Sequence, residues 1–429
     1  MSLDLKSYKG TRDLYPADMR VRNYIFKGWR KVVESFGYEE YQAPVLEPLA
    51  MYTAKSGEEI VNEQTFCFTD RGGRELSIRP EMTPSVSRMV AAKRQEMPYP
   101  ARLYSIANFM RYERPQHGRE REFWQLNFDM FGVETVDADT EILLMSHEIL
   151  REFGATNEMF TLKINDRRLT DFIFREYFAL PETKAFALIK LMDRYDKMPR
   201  EAFESAAQQI DQNFDFAKFD AIINAKTLAD LPEEIRENPV AGSLKIVLEI
   251  LGEKGVKNAK YDPTLMRGFD YYTGIVFEVF DEAPENRRAM FGGGRYDGLV
   301  GLFGVEDLPV VGAAPGETMF AEFLKAHDLV PKFASSVDVV LMTIGDVKFA
   351  DYAKIADFLR GKNVNVATDF TQRKFAKKIK AAEKIGAKFA IVLGEDEIKN
   401  GCFELKNIAK NESTSNLAIE EIAERIAKA

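Results

Sequence analysis

Between Leu265 and Gly298 the chain carries two β-type runs that constrain the rest of the molecule. From Tyr271 to Val279 the residues alternate as a strand does, with Tyr271, Thr273, Ile275, Phe277 and Val279 on one face. Tyr272, Gly274, Val276 and Glu278 fall on the other. The second run, Met290-Phe-Gly-Gly-Gly-Arg-Tyr-Asp-Gly298, places three glycines directly before Arg295 and Tyr296. Such a run lets a backbone come very close to something flat or phosphorylated. A hairpin with an aromatic ladder would need nothing more, but the recurrence of arginine, tyrosine and glycine in both runs points to a site. Either way these strands need partners, and the flanking chain supplies them.

The segments Leu103–Phe109 and Phe123–Phe131 read as an antiparallel pair joined by the Arg-rich connection Met110-Arg-Tyr-Glu-Arg-Pro-Gln-His-Gly-Arg-Glu-Arg-Glu122. On the second strand Phe123, Gln125, Asn127 and Asp129 share a face. Polar groups there suit a binding floor better than a core. Ala17–Phe36 is expected to be a helix, stopped by Gly37, with Val21, Ile25, Trp29, Val32 and Phe36 at helical spacing. Tyr38–Pro48 is extended, because Pro44 and Pro48 forbid a central strand; it suits an edge strand or a subunit interface. Phe66–Arg79 reads as a hairpin turning at Gly72-Gly73. A helix then begins near Pro84, so Glu81 and Thr83 stand at a strand-to-helix junction, where Thr83 fits either a pocket or an N-cap. Asp139–Phe153 is expected to be a helix and Met159–Asp166 a strand. From about Leu169 to Gly255 the pattern is helical and charged, which predicts a helical insertion between strands of one sheet. Leu308–Gly312 closes the sheet, followed by a helix from about Glu317 to Ala326.

Residues 326–336 look like a linker between a first domain, 1–325, and a second, 337–429. In the second, strand–helix alternation predicts a small, mostly parallel α/β domain with strands at Val337–Thr343, Val364–Asp369 and Phe389–Gly394. Thr371–Lys380 holds five basic residues and no acidic one on a chain of net charge −9. Phe375 and Ile379 are expected to face the core and the lysines to face outward, either as a solvated surface or as a phosphate-backbone contact.

Composition excludes several classes. The acidic balance argues against a protein that coats nucleic acid. Two cysteines, Cys67 and Cys402, and three histidines cannot build a disulfide framework or a Cys/His metal cluster. No apolar run approaches the ~18 residues of a membrane span, and no signal peptide is expected. Walker-A, Gly-x-Ser-x-Gly and metal-triad motifs are missing. What remains is arginines from three places (Arg111, Arg267 and Arg295), polar groups at Glu81, Gln125 and Asp129, and phenols at Tyr271, Tyr272 and Tyr296. Arginine-rich, nucleophile-poor sites suit phosphoryl or nucleotidyl transfer. Carboxylates beside them suit an amine or imidazole ligand.

These residues resemble the histidyl-tRNA synthetase family of class II aminoacyl-tRNA synthetases, over nearly the whole chain. Arg267-Gly-Phe-Asp-Tyr-Tyr-Thr-Gly274 and Gly293-Gly-Arg-Tyr-Asp297 look like its two specificity signatures. Met110–Pro115 with the strand to Asp129 looks like class II motif 2, Gly37–Pro48 like the dimer-forming motif 1, and Arg79–Thr83 like the amino-acid loop. Ile391–Ile398 resembles the anticodon-binding domain.

The resemblance implies an α+β catalytic domain with an antiparallel sheet, a C-terminal α/β anticodon-binding domain, and a cytoplasmic homodimer. It also implies ATP-dependent activation of L-histidine, with Mg2+ accompanying ATP and no metal held by protein alone, and transfer to tRNA(His). The catalytic residues it implies are Arg111 and Arg267. Histidine would be held by Glu81, Thr83, Gln125, Asp129, Arg267, Tyr271 and Tyr272, with Asp129 and Tyr272 reading the imidazole. ATP would meet Arg111, Glu113, Arg119, Arg121 and Arg295. Transfer RNA would meet Arg114 and Gln116 at its acceptor end and Arg373, Lys374 and Lys377 elsewhere. One departure stands out: Met319 occupies the place of the family's motif 3 arginine, so Arg119, Arg121 or a lysine is expected to bind the triphosphate tail. A catalytically silent regulatory or tRNA-sensing relative is the rival. The complete Arg267–Gly274 signature and the C-terminal domain oppose it.

Overall fold

A computed structural model describes residues 4–53, 64–266, 271–286 and 288–428, with the side chain of Asp196 excepted. The chain divides into two compact units, Met1–Val330 and Pro331–Ala429. Among the described residues no helix is long and apolar enough to cross a membrane.

The first unit is built on an eight-stranded sheet. Its strands are β1 (Glu39–Glu40), β5 (Ala101–Met110), β6 (Glu122–Phe131), β7 (Phe160–Asp166), β8 (Ala259–Tyr261), β9 (Ile275–Asp281), β10 (Ala289–Arg295) and β11 (Val310–Ala313). They lie in the order β1-β5-β6-β11-β10-β9-β7-β8. Only the outermost pairs, β1 with β5 and β7 with β8, are parallel. A smaller antiparallel sheet joins β2 (Leu46–Pro48), β4 (Glu75–Ile78) and β3 (Cys67–Thr69). The helix Pro16–Ser35 sets Ile25, Trp29, Val32 and Val33 at spacings of three and four residues, so all four fall on one stripe and are buried. Gly37, at φ +81°, lets the chain leave the helix in a left-handed turn. That stripe packs with Ile106, Leu126 and Phe128 of β5 and β6 and with Ile142 and Ile149 of the helix Val136–Arg151. Each such side chain contributes roughly 1.5–3 kcal/mol. Between β7 and β8 the chain is helical, and Leu188, Phe203, Phe219 and Leu244 from that stretch join the same core.

One strand starts later than the alternation predicts. Tyr271 and Tyr272 precede β9, and both are buried with their rings 4.8 Å apart, so they do not sit on opposite faces of a strand.

In the second unit the sheet order is β13 (Val366–Asp369), β12 (Val339–Thr343), β14 (Phe389–Leu393), β15 (Phe403–Asn407), β16 (Glu412–Leu417). The first three are mutually parallel. The antiparallel pair β15–β16, absent from the strand–helix pattern expected, completes the sheet. The basic segment also differs from expectation. Phe375 is exposed, whereas Lys378 is buried, its Nζ donating to the carbonyls of Thr343 (2.8 Å) and Asp369 (3.2 Å). Both carbonyls lie at strand ends, where no further strand takes them up, and the lysine satisfies them.

Candidate active site

Four strands of the large sheet carry the site. Asp129 on β6 pairs in register with Gly312 on β11, Gly312 with Gly294 on β10, and Gly294 with Val276 on β9. The two glycines clear the floor. A Cβ at Gly312 would fall on the Asp129 carboxylate, and one at Gly294 would lie 2.9 Å from the Tyr272 ring. The triple-glycine run thus does admit something flat, and in the protein itself that is Tyr272.

A cavity of about 1030 Å³ opens over this floor, at the upper end for small-molecule sites. Glu81, Thr83, Gln125, Asp129, Tyr271 and Tyr272 all line it, so the residues expected to bind histidine converge, apart from Arg267, which lies outside the described residues. The Tyr296 hydroxyl donates to Asp129 Oδ1 at 2.5 Å, and Tyr271 to Glu81 Oε2 at 3.2 Å. Burial pushes the Asp129 carboxyl up to about 7, while the hydrogen bond from Tyr296 pulls the other way. Burial and the adjacent Asp129 raise the Tyr296 phenol well above its ordinary value, so it stays a donor. Thr83 opens the helix Thr83–Lys93, whose N-cap is Met82, and lines the cavity.

The Arg-rich connection between β5 and β6 forms one wall. Arg111 Nε donates to the Pro80 carbonyl at 2.9 Å and its guanidinium lies 5.3 Å from the centre of the Phe123 ring. Arg119 pairs with Glu113 at 3.2 Å, and all three line the cavity. His117, read from sequence only as part of the loop, has Nε2 3.3 Å from Asn286 Oδ1. Met319 also lines the cavity, packed so closely on Gly118 that a side chain there would strike its sulfur.

Two expected ATP ligands lie elsewhere. Arg295 is buried and holds Asp139 through Nη2 at 2.5 Å, with the carbonyls of Val133 and Thr135 taking further N–H groups. Arg121 donates to the Tyr8 hydroxyl at 2.6 Å and to the Glu113 carbonyl at 3.1 Å, and lies against the ring of Tyr112. Neither lines the cavity, because each guanidinium is consumed in joining separate segments of chain. Arg114 and Gln116 are exposed on the loop, and Arg373, Lys374 and Lys377 are exposed on the second unit.

Sequence reasoning passed over other cavity residues. Lys163 on β7 pairs with Asp262 at 2.8 Å and lies over Phe280. Its register partner Glu278 lines the same cavity, as do Lys197 and Arg288. A lone lysine inside the apolar run Phe160–Ile164 was the available signal.

The histidyl-tRNA synthetase family model matches residues 10–315, and an anticodon binding domain model matches residues 338–429. A histidine–tRNA ligase of Leptospira biflexa is 41% identical, covering 99% of both chains, and one of Opitutus terrae is 37% identical over 95% of each. Among solved structures, the apo histidyl-tRNA synthetase of S. aureus has a TM-score of 0.75 at 24% identity, covering 99% of this chain and 100% of that one. An ATP phosphoribosyltransferase regulatory subunit/histidyl-tRNA synthetase of Bacillus halodurans has a TM-score of 0.76 at 19% identity, covering 92% and 99%. At such identities the two structures share the fold, while the sequence matches settle descent: the chain belongs to the histidyl-tRNA synthetase family.

Proposed function

We propose that the chain activates L-histidine with ATP and transfers it to tRNA(His), with the large cavity as the site of both steps. The observation that carries this is the floor: two buried carboxylates, each receiving a tyrosine hydroxyl, in a cavity walled by arginines. Asp129 takes an N–H of the neutral imidazole and the Tyr272 hydroxyl donates to the other ring nitrogen. Glu81, fixed by Tyr271, receives the α-ammonium with Thr83 and Gln125. A ring without nitrogens would leave these buried groups unpaired, which is the strongest form of rejection.

In the first step a histidine carboxylate oxygen attacks the α-phosphorus, and the bond to the bridging oxygen breaks to release pyrophosphate. Two anions must meet, so Arg111 holds the α-phosphate and Arg267, assigned from the resemblance, neutralises the opposite side. Arg119, oriented by Glu113, contacts the nucleotide. Mg2+ travels with ATP, held chiefly by its phosphate oxygens. In the second step a terminal ribose hydroxyl of tRNA attacks the acyl carbon and AMP leaves. Arg114 and Gln116 guide the acceptor end, and Arg373, Lys374 and Lys377 contact the anticodon arm. A homodimer formed through the 37–48 segment, acting in the cytoplasm, completes the proposal.

Histidine-dependent ATP–pyrophosphate exchange, run beside other amino acids, tests it. Exchange with histidine alone is expected. No exchange with any amino acid overturns the proposal in favour of a silent regulatory relative.

A further inference from the structure

We propose that Arg288 binds the distal phosphates of ATP. This rests on the cavity being the ATP site. Among the described residues, six Asp or Glu and five Lys or Arg line the cavity, a balance that does not favour a polyanion. Three of those five cations are already paired: Arg119 with Glu113, Lys163 with Asp262 at 2.8 Å, and Lys197 with Asp193 at 3.7 Å. Arg111 is anchored on the Pro80 carbonyl and over Phe123. Arg288 is exposed, and among the described residues it makes no ion pair or hydrogen bond. Its guanidinium can therefore turn to an incoming anion without breaking a pair with any described residue.

Its backbone is held in place. The connection between β9 and β10 is pinned by Asp281, which accepts from the Ala283 N–H and from Asn286 Nδ2 at 2.8 and 2.7 Å and meets His327 Nε2 at 2.7 Å. Asn286 is buried and reaches His117 of the Arg-rich loop. Arg288, two residues on, is thus carried on a segment tied to the loop that bears Arg119. Met319, packed on Gly118 of that loop, contributes no charge, and Arg121 is turned away into its contacts with Tyr8 and Glu113. The cation needed at the end of the triphosphate has Arg288 as its supplier.

The test compares Arg288→Ala and Arg288→Lys with the unaltered protein in histidine-dependent ATP–pyrophosphate exchange, without tRNA. Loss of a charge-assisted contact should raise the KM for ATP about tenfold or more in Arg288→Ala. The KM for histidine and inhibition by AMP should stay within about twofold, and Arg288→Lys should recover most of the loss. An unchanged KM for ATP overturns the assignment, as does an effect confined to the KM for tRNA in full aminoacylation. An equal rise in AMP inhibition constant also overturns it, since that would mark a displaced site rather than a lost phosphate contact. Absence of exchange in the unaltered protein would instead refute the reading of the cavity.

Discussion

The floor and the rim of the cavity solve opposite problems. On the floor, Asp129, Glu81 and their tyrosines are buried and hydrogen-bonded before any ligand arrives. At the rim, Arg119 and Arg288 stand in solvent. Desolvated groups in fixed positions discriminate, because a wrong ligand leaves them unsatisfied. Exposed cations discriminate little, but they keep their hydration until the polyanion takes its place and so are inexpensive to hold ready. Selectivity should therefore be lost by changes to the floor, and nucleotide affinity by changes to the rim.

The largest expected effect breaks the floor itself. Asp129→Ala should lower kcat/KM for histidine by about a thousandfold, with the KM for ATP nearly unchanged; steady-state exchange kinetics separate the two. A comparable drop in ATP affinity would mean that floor and rim are not distinct. Next is an arginine that belongs to neither. Removing Arg295 by Arg295→Met leaves Asp139 buried without its partner and should cost about 3–5 kcal/mol of stability. Chemical denaturation would register that loss, while the KM for ATP of the folded fraction should hold.

A smaller effect sharpens the floor's electrostatics. The Asp129 carboxyl accepts the imidazole N–H more strongly when ionised than when protonated, and its pKa stands at about 7. The KM for histidine should therefore rise as pH falls through that value, and fall to a plateau above it. Tyr296→Phe removes the hydrogen bond that favours the ionised form, so the inflection should move to higher pH, with a rise in KM of about tenfold at neutrality. An inflection that stays in place would sink the assignment of Asp129 as the acceptor. The smallest expected change is on the second unit. Lys374→Ala and Lys377→Ala should each weaken tRNA binding by about 1 kcal/mol and flatten its salt dependence, leaving exchange untouched.

Much of this was legible in the chain. Regular periodicity gave the long helix from Pro16, the β5–β6 pair and the helix Glu317–Ala326 nearly to the residue. That Glu81, Gln125, Asp129, Tyr271 and Tyr272 would share one cavity could be anticipated because polar groups interrupt apolar strands and match a family pattern. The failures have a common physical cause. Arg295 and Arg121 read as phosphate ligands because an arginine beside glycine or in a polar loop looks the same whatever neutralises it. Their partners, Asp139 and Tyr8, stand 156 and 113 residues away and only folding brings them near. Arg288 and Lys163 were passed over for the converse reason: each looks like an ordinary surface cation until the cavity is closed around it. The β15–β16 pair escaped because the apolar alternation of β15 is short, just Phe403 and Leu405, and β16 is polar and largely exposed.

The row formed by Asp129, Gly312 and Gly294 has a consequence for redesign. Position 312 is vacant of side chain because the carboxylate of position 129 fills that space. The two positions are therefore one unit of inheritance: a larger residue at 312 needs 129 cut back, and it also needs β6 to shift, because the Phe128 carbonyl oxygen would stand 2.8 Å from its Cβ. Single substitutions that retune the amino-acid preference should stall at an inactive intermediate. A library that varies 129 and 312 together would explore routes that neither position can open alone.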